Sequence, residues 1–219
     1  MTREIYPNNI VWHPEAVNRT DRENLNRHRA FTLWLTGMPA SGKSTIANAM
    51  EKALHEMGCH TYVLDGDRIR YGLNRDLGFS PQDRQENIRR IAELSALLRD
   101  AGIINLVAFI SPYRVDRQKA RELCQNDGTF IEVFVDCPSN ICEQRDPKGL
   151  YQKAREGLIK DFTGVSAPYE PPLNPEIHLR SDMFSTDECV GVILEHLRER
   201  GLIPCYSTVT RNAPAGAST

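Results

Sequence analysis

Residues Phe31 to Thr45 read FTLWLTGMPASGKST, an apolar run of strand composition that ends in a glycine-rich loop. The loop, Gly37-Met38-Pro39-Ala40-Ser41-Gly42-Lys43-Ser44, fits G-x-x-x-x-G-K-[ST] at every position. After it come Ile46, Met50, Ala53, Leu54 and Met57, one face of a helix that stops at Gly58. Strand, loop and helix in this order have a mechanical purpose. Glycines let the backbone curl so that successive N–H groups aim at phosphate oxygens, and the helix adds its positive N-terminal end. Gly37 through Thr45 are therefore the expected nucleotide-binding residues. Lys43 is expected to reach the β- and γ-phosphates, and the Ser44 hydroxyl to ligate Mg²⁺. The motif establishes a nucleoside triphosphate and leaves the reaction open. No N-K-x-D guanine signature is present, which favours ATP over GTP.

Outward from the loop, short apolar runs alternate with segments of helical period from Ala30 onward, the signature of βαβ units and a parallel sheet. The strand TYVL (61–64) ends on Asp65-Gly66-Asp67. Ser80-Pro81 opens a helix whose Ile88, Ile91, Leu94, Leu97 and Leu98 run on to Gly102. The run IINLVAFI (103–110) is apolar apart from Asn105, as expected of an interior strand covered on both faces. A polar helix over 114–125 and a strand FIEVFVD (130–136) follow. Between 144 and 175 only Leu150 to Arg155 looks helical. A weak strand EIHL (176–179) precedes a capping box, Ser185 to Glu188, and a helix closing at Gly201. The fold expected is α/β: a five-stranded parallel sheet with helices on both faces. Residues 1–29 read as an N-terminal arm, 30–203 as one P-loop domain, and 204–219 as a disordered tail.

Composition narrows the function classes. With 27 Lys plus Arg against 29 Asp plus Glu, the net charge is −2, without the basic excess that a general nucleic-acid binder requires. The sum hides unlike regions, because 145–160 and 114–121 are basic while 181–200 is acidic. Six cysteines, at 59, 124, 137, 142, 189 and 205, show no C-x-x-C spacing and no metal-ligand cluster. They are expected to be reduced, buried thiols in a cytoplasmic protein. MTREIYPNN has no apolar signal core, and no run is long enough to span a membrane, so no membrane partner is expected.

Two carboxylates, Asp65 and Asp67, fall where open α/β sheets bind ligands, at the carboxyl end of a strand. In phosphoryl transfer such a group can orient the acceptor hydroxyl, accept its proton or hold the metal through water. Beyond them Arg68, Arg70, Arg75, Arg84, Arg89 and Arg90 fall within 23 residues, with Asn87 among them. Arginine suits phosphate and sulfate oxyanions, although several of these must be helix-surface charges paired with Asp83 and Glu86.

The runs LDGDRIRYGLNRDLGFSPQDRQENIRRIAE (64–93), LVAFISPYR (106–114) and FVDCPSNICEQRDPKGLY (134–151), then FTG (162–164) and APYEPP (167–172), resemble the adenylylsulfate kinase (APS kinase) family. The likeness covers about residues 8 to 203. It implies transfer of the ATP γ-phosphoryl group to the 3′-hydroxyl of adenosine 5′-phosphosulfate (APS), giving PAPS and ADP. By the same resemblance Asp65 sits at the 3′-hydroxyl and magnesium, Asp67 and Arg70 contact the substrate, and Phe79 stacks on its base. Arg84 and Asn87 grip its phosphosulfate, while Ile110 and Ser111 close the pocket. Ser111 matches the family's phosphoserine or active-site serine. Strand order 2-3-1-4-5, a homodimer and, in some relatives, fusion to ATP sulfurylase are implied as well.

No histidine lies near Ser111 in sequence to activate it, so direct in-line transfer between two bound nucleotides is expected. The basic stretch 145–160, with Arg145 and Lys148 as ATP contacts, resembles the family's lid. Arg68 and Tyr71 replace an expected Asn and His, and Met38 and Pro39 stand where smaller residues are commoner. Two alternatives stay open: another small-molecule kinase on this fold, or a silent nucleotide-binding module associated with a sulfurylase.

Overall fold

The computed structural model describes residues 15–124 and 127–203. In chain order the elements are α1 (Arg19–Asn26), β1 (Thr32–Thr36), α2 (Lys43–Glu56), β2 (Thr61–Asp65), α3 (Gly66–Tyr71), α4 (Pro81–Asp100) and β3 (Ile104–Ala108). They continue with α5 (Arg114–Leu123), β4 (Phe130–Asp136), α6 (Ser139–Arg145), α7 (Leu150–Arg155), β5 (Ile177–Arg180) and α8 (Thr186–Glu199). The five strands pair in the order β2-β3-β1-β4-β5, and every pairing is parallel. The order and the sheet are those expected. Parallel pairing puts the carboxyl ends of all five strands at one edge, which is where the loops carrying the motifs emerge.

Side chains alternate across β1, and the two cores follow from that alternation. Leu33 and Leu35 face α2 and α8, packing with Ile46, Met50, Leu54, Ile193 and Leu197. Trp34 faces the other way, onto α4 and α5, with Ile88, Ile91, Val107 and Phe130. A third, smaller cluster of Cys137, Cys142, Tyr151, Ala154 and Phe162 lies beside the loop that follows β1. Asn105, the one polar residue in β3, sits on the α4 side. Its Oδ1 accepts from the Ser95 hydroxyl at 2.6 Å and its Nδ2 donates to Ser95 O at 3.2 Å, while the Thr32 hydroxyl lies 3.0 Å from Ser95 Oγ.

Local signals account for the helix starts. Ser80 caps α4, accepting from Asp83 N at 3.1 Å, with proline at its first position. Ser185 and Glu188 form the expected capping box of α8. Three helices were not visible in the sequence. Helix α1 buries none of its residues and is held by side-chain bonds: Arg19 to Asp127 at 2.8 Å, Arg22 to Asp100 at 2.9 Å and Asn26 to Gly102 O at 2.9 Å. Helices α3 and α6 are six and seven residues long, too short to display a period. Helix α5 ends at Leu123, two residues earlier than its pattern suggested.

The five described cysteines are free and buried, and burial pushes the thiols of Cys59, Cys124, Cys142 and Cys189 up. Cys205 and the expectation of a disordered tail lie outside the described residues, as do the first 14 residues of the expected N-terminal arm. Among the described residues no helix is long and apolar enough to cross a membrane.

Asp127, in the turn before β4, accepts from Thr129 N at 3.0 Å, Arg99 at 3.0 Å and Arg19 at 2.8 Å. Partial burial opposes its ionised form, but the donors from Thr129 and Arg19 outweigh it and hold the carboxyl at about 2. An unfolded aspartate titrates near ~3.9. The folded state therefore favours the carboxylate, and that stabilisation is full above the unfolded value and vanishes as pH falls through about 2. Asp127→Asn is expected to lower stability at neutral pH, with the gap to the unaltered chain closing as denaturant titrations move below about pH 5. A gap that does not change with pH would mean that the charge contributes nothing.

Candidate active site

The loop after β1 owes its shape to three backbone positions. Gly37 has no room for a side chain, since a Cβ there would lie 2.4 Å from Val135 O. Ala40 and Gly42 have φ of 59° and 97°, left-handed conformations that turn the chain back on itself. Gly42 then forms the N-terminal cap of α2. Lys43, in the first turn, bends back over its own loop, where Nζ donates to Gly37 O at 3.0 Å and Met38 O at 2.6 Å. Burial is the largest influence on this amine and brings its pKa down to about 8.

Asp65 ends β2 and reaches toward the same turn. Its Oδ2 accepts from the Ser44 hydroxyl at 2.5 Å, while Oδ1 accepts from Asp67 N at 3.1 Å and so caps α3. Two oxygen donors from different elements thus meet beside Lys43. A hydroxyl and a carboxylate suit a hard cation such as Mg²⁺, which takes few protein ligands and keeps several waters.

One cavity of about 980 Å³ runs from this loop to α4. It is lined by loop residues 39–45, Asp65, Asp67, Arg70, Phe79, Arg84, Asn87, Ile110, Ser111, Arg145 and Lys148. Of the residues expected in the site, only Gly37 and Met38 lie outside its lining. Gly37 is packed against Val135, and Met38 lines a separate, shallower cavity of about 530 Å³.

At the α4 end, Arg70 stacks over the Phe79 ring, its guanidinium 4.5 Å from the centroid, and donates to Gly78 O at 2.8 Å. Arg84 donates to Phe79 O at 2.9 Å, to Thr163 Oγ1 at 2.8 Å and to Asp161 O. Burial lowers the pKa of both guanidinium groups, and repulsion from Arg84 adds to the effect on Arg70. They remain cationic, since arginine starts so high. Asn87 is buried, and its Oδ1 accepts from Asn74 at 2.9 Å. The other four arginines of the run are elsewhere. Arg89 and Arg90 pair with Glu86 on the helix surface, Arg68 lies over Tyr62, and neither they nor Arg75 line the cavity.

From the opposite wall, Arg145 donates to Ser181 O at 2.7 Å and Lys148 pairs with Asp67. Asp146 between them accepts from Leu150 N at 2.8 Å and Tyr151 N at 3.0 Å, which ties the stretch to α7. Ser111 is almost wholly buried and has a φ of 40°. Its hydroxyl accepts from Trp34 Nε1 at 3.2 Å and donates to Phe109 O at 3.4 Å, so no carboxylate or imidazole stands ready to take its proton. No histidine is among the described residues that line the cavity.

Several lining residues went unnoticed in the sequence: Phe162, Thr163, Asp146 and the start of α8, with Phe184, Thr186 and Cys189. The capping box at Ser185 was the available signal for the last group, because it places a helix start at the carboxyl end of β5.

The adenylylsulphate kinase family model matches residues 29–180. The adenylyl-sulfate kinase of Saccharomyces cerevisiae is 56% identical over 196 residues, 89% of this chain and 96% of its own. That of Staphylococcus haemolyticus is 53% identical over 195 residues, 89% of this chain and 98% of its own. The Mycobacterium tuberculosis APS kinase CysC, solved in complex with AMPPNP and APS, is 48% identical with a TM-score of 0.75, covering 78% of this chain and 99% of that one.

With its pKa at about 8, Lys43 is partly neutral in the ligand-free protein at mildly alkaline pH. A triphosphate against Nζ favours the ammonium form. Binding of a non-hydrolysable ATP analogue is therefore expected to take up a proton, increasingly so from about pH 7 to about pH 9. Calorimetry in buffers of different ionisation enthalpy reads that uptake. It should vanish in Lys43→Met, and its absence from the unaltered chain would count against a phosphate at Lys43.

Proposed function

Because the chain belongs to the adenylylsulphate kinase family, we propose that it transfers the terminal phosphoryl group of ATP to the 3′-hydroxyl of adenosine 5′-phosphosulfate, giving PAPS and ADP. One observation carries this reading. A single cavity has a phosphate-binding loop at one end and the Arg70, Phe79, Arg84 and Asn87 group at the other, with Asp65 bonded to the loop's own helix. Direct phosphoryl transfer requires donor and acceptor to be held together in one space that limits water.

The residue roles in this reading are those the family resemblance implies, and the placement of the side chains around the cavity supports them. The loop amides and Lys43 hold the β- and γ-phosphates, so Lys43 exchanges its bonds to Gly37 O and Met38 O for phosphate oxygens. Ser44 and Asp65 would hold Mg²⁺, which when bound neutralises charge on the phosphates. Phe79 offers an aromatic face to the base of APS, while Arg70, Arg84, Asn87 and Asp67 set its phosphosulfate and ribose. Arg145 and Lys148, on a basic stretch suited to act as a lid, approach ATP from the other wall. The 3′-oxygen attacks the γ-phosphorus in line, the bond to the β–γ bridging oxygen breaks, and its electron pair leaves with ADP. Asp65 takes the hydroxyl proton. Ser111 needs no covalent part, and its hydroxyl is already engaged with Trp34 and Phe109.

A homodimer belongs to the same reading, as do cytoplasmic location and contact with an ATP sulfurylase where one is present. The unpaired buried cysteines support the reducing compartment. The intact Lys43, Asp65 and Asp67 argue against a silent module.

The deciding measurement is ADP release across a panel of acceptors. Turnover is expected with APS, whereas activity on gluconate, shikimate or a nucleoside monophosphate and none on APS would overturn the reading. Asp65→Asn is expected to lower kcat by about 10²- to 10⁴-fold, the usual effect of losing a positioned acid or base. In quench-flow, Ser111→Ala should still turn over. A competent phosphoenzyme that disappears together with activity in that variant would sink direct transfer.

A further inference from the structure

Ile110 and Ser111 roof the acceptor end of the cavity just after β3 leaves the sheet. With φ at 40°, Ser111 holds a conformation that L-residues rarely adopt unless their surroundings impose it. Arg117, the fourth residue of α5 and only 3% exposed, supplies that constraint. Its Nη1 donates to Ser111 O at 2.7 Å, its Nη2 to Glu170 O at 2.8 Å, and its Nε to Glu132 Oε1 on β4 at 2.7 Å. Glu170 is bound back to the same stretch, for its N–H donates to Pro112 O at 2.9 Å and its carboxylate accepts from Arg114 N at 2.8 Å.

Glu170 ends a segment whose other end, Asp161 and Thr163, receives the guanidinium of Arg84. A single buried cation therefore fixes the strained roof residue and the far end of the segment that holds Arg84. The roof has further ties: the Thr36 hydroxyl donates to Ile110 O at 2.8 Å and more weakly to Ser111 O at 3.4 Å, lies 3.0 Å from the Tyr169 hydroxyl, and Trp34 Nε1 donates to the Ser111 hydroxyl at 3.2 Å. Arg117 lines no part of the cavity.

We infer that Arg117 is a positioning residue for the acceptor, setting the backbone of Ser111 and the 161–170 segment so that the APS end of the cavity keeps its shape. The inference rests on the functional reading above, in which that end takes APS. It is specific to one substrate, because the partners of Arg117 lie on the acceptor roof, its strap and β4, and none belongs to the phosphate-binding loop. Lysine cannot replace it, since a single ammonium does not reproduce a planar fork that serves two carbonyls and a carboxylate at once.

Steady-state kinetics of the full chain with both substrates tests this. Arg117→Lys is expected to raise KM for APS by about 10- to 100-fold, the usual effect of losing a charge-assisted hydrogen bond, and to lower kcat. KM for ATP should stay within about twofold. If the single variant does not fold because one ammonium cannot serve Glu132 and the two carbonyls together, Arg117→Met combined with Glu132→Gln removes both charges and is read by the same ratio. An unchanged KM for APS, or equal increases for both substrates, would overturn the role given to Arg117. Turnover of APS by the unaltered chain separates the two readings: without it the proposed function fails, and with it only the positioning role is at stake.

Discussion

The absence of a side chain at residue 37 is the constraint on which the rest of the site depends. Register between β1 and β4 sets Thr36 opposite Phe134, and this brings the next carbonyl of β4, that of Val135, against the first loop residue. Only glycine fits there. From that contact the chain curls through Ala40 and Gly42, and α2 starts where its first residue, Lys43, can fold over the loop. The parallel sheet then brings the other parts to the same edge: Asp65 from β2, the roof from β3, Arg145 from the helix after β4 and the start of α8 after β5. Each is a short continuation of a strand, so the geometry of the site is that of the sheet edge.

How much of this the sequence disclosed follows from what leaves a periodic trace. The strands, the long helices and the loop were legible because burial imposes a pattern on many residues at once. Helix α1 left none, since nothing in it is buried and its anchors are the side chains of Arg19, Arg22 and Asn26 reaching distant partners. Helix α3 owes its start to the carboxylate of Asp65, a residue already noticed for another reason. The arginine run shows the same limit within the site. Spacing alone left the six arginines alike and the family resemblance singled out Arg70 and Arg84; the three-dimensional path puts those two in the cavity and leaves Arg89 and Arg90 on the helix surface. Carbonyl partners such as those of Asp161 and Glu170 have no signature in residue identity, because every residue has one.

The near-zero net charge conceals two populations of ions with different weight. Surface pairs such as Arg155 with Glu143 face water, where an ion pair contributes about 0–1 kcal/mol. Lys43 and Arg117 are buried and Arg70 and Arg84 half-buried, so their fields are screened less than those of the surface pairs.

Asn105 shows how the same economy serves assembly. A one-residue slip of β3 along β1 would turn its amide from Ser95 toward the wholly apolar face under α2. An unpaired buried amide costs about 1–3 kcal/mol, enough to disfavour the mispaired sheet by roughly ten- to a hundredfold. The residue that interrupts an otherwise greasy strand works as a key for register. It makes the shifted pairing uncompetitive while the sheet is still being assembled.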